Sequence, residues 1–293
     1  SEDGPSITEE LEKLREKAAR QLKETYRDLT PWRKTQVARH PDRPHFSAYL
    51  DQLFEDFQEL AGDRVFGNDE AIIGGLAQFN GRSVIVMGHE KGHTTESRIR
   101  HNFGMAHPEG YRKAERLMDL AERFGLPVVS FVDTSGAYPG KAGEERGQAE
   151  AIARCTERCL TLPVPSVALI IGEGGSGGAI AIAAASHVLM MEHAIYSVIS
   201  PEGCASILYR DAAKAREAAE AMKITAQDLK RMKVIDEIVK EPVGGAHREP
   251  EKAIHAAGKA IEKSLASIEG LSPLEIRRQR RERYYRIGRE GLN

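Results

Sequence analysis

Leu11, Leu14, Ala18 and Leu22 are spaced at helical intervals in a run from Glu9 to Glu24 that is otherwise dominated by charge. The pattern predicts a helix with a narrow apolar stripe, an arm lying on another surface. Ser6-Ile7-Thr8-Glu9 has the capping-box spacing that would start it. Beyond Pro41 and Pro44, the residues Leu50, Leu53, Phe54, Phe57, Leu60 and Ala61 predict a second amphipathic helix. Residues 71–79 and 83–88 flank Asn80-Gly81, a pair suited to the positive φ values of a type I′ turn, and predict a β-hairpin.

After the hairpin the pattern changes to short apolar runs alternating with longer amphipathic ones. A helix over 110–124 precedes the buried strand 127–132, which ends in Asp133-Thr-Ser-Gly-Ala-Tyr-Pro-Gly140. A helix over 144–160 follows, then a strand over 165–171, the glycine loop 172–178 and a small-residue helix over 179–185. Strand-like runs recur at 187–191, 194–199 and 234–239, and the chain turns helical again from Glu249. Strands alternating with helices predict an α/β fold with buried, largely parallel strands.

Composition narrows the class without naming a chemistry. The chain has 293 residues, 41% of them hydrophobic, and a net charge of -2, so it is not built to coat nucleic acid or an anionic membrane. The most apolar stretch, 164–191, is interrupted by Glu173, glycines and His187 and is no membrane span. The start, Ser-Glu-Asp-Gly-Pro, lacks a signal peptide's basic residues and apolar run. Three cysteines give no disulfide framework and predict a reducing, cytoplasmic compartment. Cys155 and Cys159 lie one helical turn apart, Cys204 is alone, and the ten histidines show no ligand spacing, so packing is expected of the cysteines and no metal is assigned.

The run Gly172-Glu-Gly-Gly-Ser-Gly-Gly178 is the most informative segment. A glycine-rich start to a helix leaves backbone N–H groups unpaired at the positive end of the helix dipole, where a phosphate or an oxyanion can sit. Gly172, Gly174 and Gly177 satisfy the dinucleotide fingerprint, with Glu192 twenty residues beyond Gly172. Ser176 satisfies the G-x-S-x-G pattern of a nucleophile, although no downstream histidine has a spacing that marks it as the base. Close helix-on-strand packing is a third reading. A phosphate loop at Gly136–Lys141 is excluded, because three residues rather than four separate its glycines and Ala142 replaces the hydroxyl.

The same run, together with Tyr196-Ser-Val-Ile-Ser-Pro-Glu-Gly-Cys-Ala-Ser206, closely resembles the carboxyltransferase α subunits of multi-subunit (bacterial and plastid-type) acetyl-CoA carboxylase. Glu59-Leu-Ala-Gly-Asp-Arg64, Asn102-Phe-Gly-Met105, Pro108-Glu-Gly-Tyr-Arg-Lys113, Glu144-Glu-Arg-Gly-Gln148 and Gly244-Gly-Ala-His-Arg248 extend the likeness over residues 6–250. The resemblance implies a crotonase-like spiral of ββα units with extra N- and C-terminal helices. Its divisions would be a helical arm over 1–45, the carboxyltransferase domain over 46–248 and a helical basic extension over 249–293. It implies transfer of a carboxyl group from carboxybiotin, held by a biotin carboxyl carrier protein, to acetyl-CoA, giving malonyl-CoA for fatty acid synthesis. Gly177 and Gly178 would form a backbone oxyanion hole, and Gly136, Ala137, Tyr138, Gly174 and Gly175 would line the biotin pocket. The partners implied are a zinc-bearing β subunit in an α2β2 assembly, the carrier protein and biotin carboxylase. Ser135 and Lys141-Ala-Gly143 depart from the family's usual loop, and Ser135 restores an N–H where proline is usual. Another acyl-CoA carboxyltransferase or decarboxylase of the same fold is the nearest alternative.

Arg277, Arg278, Arg280, Arg281, Arg283, Arg286 and Arg289 crowd the C-terminal region with Tyr284 and Tyr285. A solvated helix face or a contact with an acidic partner is expected there, with nucleic-acid binding as the other reading.

Overall fold

The structure, a computed structural model, describes residues 7–289. The capping box at Ser6 lies outside the described residues. Among those residues eight strands form one sheet: β1 (Glu55–Glu59), β2 (Ile72–Phe79), β3 (Arg82–His89), β4 (Val128–Thr134), β5 (Ser166–Gly175), β6 (His187–Met191), β7 (Ile195–Ser197) and β8 (Glu237–Val239). Their order is β1-β2-β3-β4-β5-β6-β8, with β7 beside the end of β5. The β1–β2 and β2–β3 pairs are antiparallel and the others parallel.

The hairpin forms as its turn residues dictate: Asn80 (φ 50) and Gly81 (φ 73) bring Phe79 opposite Arg82. Every residue of β4 and β5 is buried, as continuous apolar runs in a covered parallel sheet require. The cover comes from the helix Ser176–Ala183 against β4 and β5, and the helix Pro250–Ile268 against β5 and β6. The helix Pro108–Phe124 lies on β2 and β3 through Tyr111, Ala114, Leu117, Met118 and Ala121, one helical face. No helix among the described residues is long and apolar enough to cross a membrane.

Four predicted elements differ. The second amphipathic helix ends at Leu53; Phe54 turns extended, and the residues after it form the edge strand β1, which meets the hydrogen bonds of β2 with a bulge after Glu55. The predicted helix over 144–160 is two helices, Lys141–Glu145 and Gln148–Thr161, separated at Gly147 (φ 81). The strand predicted over 234–239 shortens to β8, because Val234 and Ile235 donate their N–H groups to Leu229 O and close the helix Ala226–Arg231. The fourth difference concerns the glycines. Residues 172–175 are strand rather than loop, since β7 pairs with Glu173, Gly174 and Gly175 while Thr134 of β4 pairs with Gly174. Pairing on both sides satisfies a backbone that no side-chain pattern could have marked as strand.

The long helix Ile7–Arg27 leaves Leu11 and Leu14 exposed. The segment after it is fastened firmly. Arg43, 1% exposed, donates Nε to Ile171 O at 2.6 Å and pairs through Nη1 and Nη2 with Glu241 at 2.9 and 2.6 Å. That bond holds the chain against β5 one residue before the glycine run.

Candidate functional site

The site is built where β4 and β5 end. Asp133 closes the apolar run of β4 and is buried; its Oδ1 accepts Glu173 N–H at 2.9 Å and lies 2.8 Å from Lys91 Nζ, while its Oδ2 is 3.2 Å from His45 Nδ1. Burial pushes this carboxyl up, but the Lys91 ammonium and the His45 hydrogen bond outweigh it and hold the group far below the usual carboxylate range. Burial lowers the Lys91 pKa, yet the charges of Asp133 and Glu173 raise it on balance. Glu173 completes the network by bridging Lys91 at 3.0 Å and Arg39 at 2.6 Å. A cleft of about 220 Å³ opens beside these charges, with Arg98, Phe103 and Ser135 on its walls.

The glycines admit this arrangement by close approach. A Cβ at Gly172 would stand 2.5 Å from Asp133 Oδ1, and one at Gly175 2.2 Å from Ser135 O. One at Gly178 would stand 2.8 Å from both Ala137 N and Gly136 C, so the turn after β4 lies directly on the start of the helix Ser176–Ala183. Gly174 is packed against Tyr196, 2.7 Å from where its Cβ would be. Packing therefore accounts for four of the five glycines. Gly177 differs: it is half-buried, its nearest obstacle is the flexible tip of Ile152 at 3.3 Å, and it lines a cleft of about 510 Å³.

Ser176 makes the turn from strand to helix in the left-handed region, φ 53. The N-cap residue is Gly175, so no side chain caps the helix and its first-turn amides lack the usual acceptor. The cleft's walls are mainly Ile180, Tyr196, Val198, Ile199, Met222 and Met232. No carboxylate or imidazole lines it. The serine-nucleophile reading thus finds its elbow but neither base nor acid beside it. In the dinucleotide reading, Gly172 and Gly174 should form a loop; both lie within β5, where Gly174 is paired on both sides, and Glu192 is bound to Lys240 Nζ and Glu241 N.

Gly136 faces Ser176, a Cβ there standing 4.0 Å from Ser176 Cβ, and donates its N–H to Thr134 Oγ1. Tyr138 is fixed through its N–H on Ala106 O and stacks its ring on His107 with centroids 4.0 Å apart. The structure thus brings residues 136–137, 174–175 and 176–178 into one layered junction, with Tyr138 turned to its side. Sequence reasoning missed Lys91, His45, Arg39 and the role of Asp133. The one signal was an acid following Val132 at the end of an apolar strand, a position where a charge must be paired.

Residues 1–288 match the family described as acetyl co-enzyme A carboxylase carboxyltransferase-like. The chain belongs to this family. The acetyl-coenzyme A carboxylase carboxyl transferase subunit alpha of Xanthobacter autotrophicus is 66% identical over 287 residues, 98% of this chain and 90% of that protein. The protein of the same name from Azorhizobium caulinodans is 64% identical over 288 residues, 98% and 91% of the two chains. The chain is accordingly a transferase subunit of the acetyl-CoA carboxylase type. Among solved structures, a Pseudomonas malonate decarboxylase hetero-tetramer in complex with coenzyme A aligns with a TM-score of 0.62 at 15% identity, over 83% of this chain and 97% of that one. Transcarboxylase 12S aligns with a TM-score of 0.58 at 19% identity, over 73% and 42%. At these identities the likeness is one of fold, and that fold is the crotonase-like one expected from the sequence.

The cysteines and the arginine-rich end can also be placed. Cys155 and Cys159 are buried, both thiols reaching Ala181 O at 3.1 and 3.3 Å, as packing predicts. Among the described residues no three His, Cys, Asp or Glu side chains gather where a metal ion could sit. The arginine-rich end is not simply a solvated face: Arg280 and Arg283 are buried, because they reach backbone carbonyls at the end of the helix Gln148–Thr161 and in the segments before β5 and β8.

Proposed function

We propose that this chain is the carboxyl-donor half of a two-subunit carboxyltransferase, moving a carboxyl group from carboxybiotin on a carrier protein to acetyl-CoA to give malonyl-CoA, the first committed step of fatty acid synthesis. Family membership supports the reaction. One observation carries the site: uncapped first-turn amides of the helix Ser176–Ala183 at an apolar cleft that Gly177 lines. A cleft of this size, with apolar walls and free donors at its floor, suits a flat uncharged ring bearing one anionic group.

Carboxybiotin supplies the activated carboxyl group when bound. The backbone N–H groups of Gly177 and Gly178 hold a developing oxyanion, and the helix start adds positive potential. Gly174, Gly175, Gly136 and Ala137 do not line this cleft; packed around the helix start, they position it, and Tyr138 lies to their side. Ile180 and Val198 are exposed in this chain and, with Ile199, would exclude water once a partner covers the cleft. Among the described residues its lining holds no carboxylate or imidazole, and its one ionisable amine is Lys223, so in this reading the cleft contributes donors and walls.

The assembly we infer is α2β2, with a zinc-bearing β subunit supplying most of the acetyl-CoA site, and with biotin carboxyl carrier protein and biotin carboxylase as cytoplasmic partners. In this reading residues 1–45 are an arm, 46–248 carry the chemistry and 249–293 are a helical extension. Exposed Leu11 and Leu14 support a partner-facing arm. The test is to mix the purified chain with a β subunit, a biotin derivative and malonyl-CoA. Decarboxylation that needs both chains is expected, and no turnover in a mixture that works with a known α subunit would overturn the proposal.

A further inference from the structure

A second cavity, of about 550 Å³, lies between the helix Pro273–Arg286 and the starts of β6 and β8. Four arginines line it, and they are not alike. Arg280 is 1% exposed and donates to the carbonyls of Cys159 at 2.9 Å, Val164 at 3.0 Å and Leu162, and to the hydroxyls of Ser166 at 3.0 Å and Ser186 at 2.7 Å. Every one of these acceptors is neutral, so its charge has no counterion. Arg283 is 7% exposed; it gives Nε and Nη2 to Asp236 and Val234 O, leaving Nη1 buried without a partner. Arg286 and Arg289 stand exposed at the edge with no ion pair among the described residues. The acids of the lining are Asp236, already engaged by Arg283 and by Val188 N–H, and Glu282. Positive charge is in excess, and part of it is out of water.

Such an excess calls for an anion. Guanidinium forks arriving from successive helical turns suit the several acceptor directions of a phosphate better than the single plane of a carboxylate. The cavity is also larger than one phosphate needs and falls in the range of small-molecule sites. Ile268, Ile276 and Tyr285 give it an apolar wall with an aromatic face. We infer that this cavity binds a nucleoside phosphate, its phosphates on Arg286 and Arg289, with the buried charges of Arg280 and Arg283 behind them, and its base against Tyr285.

This site is separate from the glycine junction. Ser166, bonded to Arg280, begins β5 and Gly175 ends it. At about 3.3 Å per residue those ends are roughly 30 Å apart, too far for one ligand to occupy both. The inference is also independent of the carboxyl-transfer reading, because binding is measured on the full chain alone.

The test is calorimetric titration of the chain with ADP, inorganic pyrophosphate and adenosine. ADP should bind, pyrophosphate more weakly and adenosine not measurably. The double variant R286E/R289E changes exposed residues only; it should keep its melting temperature and lose ADP affinity by at least about tenfold for each contact removed. Tyr285→Ala should weaken ADP but leave pyrophosphate unchanged. ADP affinity unaltered by the charge reversal would overturn the site, and pyrophosphate binding as tightly as ADP would overturn the nucleoside assignment.

Discussion

Asp133 receives the backbone N–H of Glu173 at 2.9 Å, so a carboxylate from the end of β4 closes the gap in the ladder where β5 enters its glycine run. The register between the two strands slips at this point, from Val132 opposite Ile170 to Thr134 opposite Gly174. The side chain stands in for a missing backbone acceptor. It can do so because position 172 is glycine and because Lys91 and His45 compensate the buried charge.

Asp133→Ala should therefore cost more than an ordinary polar deletion. It leaves Lys91 with a single carboxylate and the Glu173 amide without its acceptor, and a loss of roughly 3–5 kcal/mol is expected. Asp133→Asn keeps an oxygen for the amide and should lose less. Urea denaturation of both variants measures the difference, and equal losses would mean that the charge on Asp133, not its hydrogen bond, sets the cost.

Neighbouring glycines should behave oppositely. Alanine at Gly178 meets two backbone atoms at 2.8 Å, so the 136–137 turn must move, at about 1–3 kcal/mol. Alanine at Gly177 meets only the Ile152 tip at 3.3 Å and removes a helix glycine, so stability should stay within about 1 kcal/mol of the parent. Gly177→Pro deletes the donor and also strains Ser176, whose φ of 53 a following proline disfavours, so its melt is read beside its turnover. With the β subunit present, Gly177→Pro should reduce turnover by roughly 10²–10³ while Gly177→Ala changes it little. Turnover and thermal melts on the three variants check this. Full activity in Gly177→Pro would remove the amide from the chemistry.

The elements whose evidence is local were legible in the sequence. The Asn80-Gly81 hairpin, the apolar runs of β4 and β5 and the face of Pro108–Phe124 each follow from turn chemistry or periodicity. What escaped was set by partners distant in the chain. Phe54 and Phe57 fit a helical stripe as well as a strand, and only the open edge of β2 decides between them. Likewise the glycines read as a loop until β7 pairs with them. At the site, the strand-to-helix junction at residues 176–178 was visible because a glycine run between an apolar strand and a small-residue helix marks it, although packing alone explains Gly172, Gly174, Gly175 and Gly178. The charge network was not, since Arg39, His45, Lys91, Asp133 and Glu173 come from five separate stretches that meet only in the folded chain.

Arg280 offers a stability test of the C-terminal helix. Its guanidinium ties that helix to the loop leading into β5, reaching three carbonyls and two hydroxyls at once. Arg280→Ala leaves those acceptors buried and unpaired, which should cost on the order of 3 kcal/mol or more. Arg280→Lys should recover little, because one ammonium with three donors cannot span the fork's reach. Chemical denaturation of the two variants measures this, and a lysine variant as stable as the parent would show that charge alone suffices.

The last prediction concerns acid. His89 is fully buried with both ring nitrogens unpartnered, and burial lowers its pKa from 6.5 to about 4, against the opposing pull of Asp133 and Asp69 and with the help of Lys91. Between pH 6.5 and about 4 the unfolded chain therefore takes up a proton that the folded chain refuses, so stability falls as pH falls through that window. The drop from this group amounts to about 3 kcal/mol. Glu241 acts lower down. Burial pushes its carboxyl up, but Arg43 outweighs this and brings it from 4.5 to about 2, so its contribution is whole above pH 4.5 and is lost as pH falls toward 2. Two successive losses should appear in denaturation free energies measured from pH 7 to pH 3. His89→Leu, which replaces the ring with an apolar side chain that cannot titrate, should reduce the first, the remainder coming from His187, His193 and His247, whose pKa values burial also lowers, and leave the second. Glu241→Gln should do the reverse, at a lower overall stability because Arg43 then lies buried without its counterion. A slope between pH 6.5 and 4 that His89→Leu leaves undiminished would place the main titrating group elsewhere.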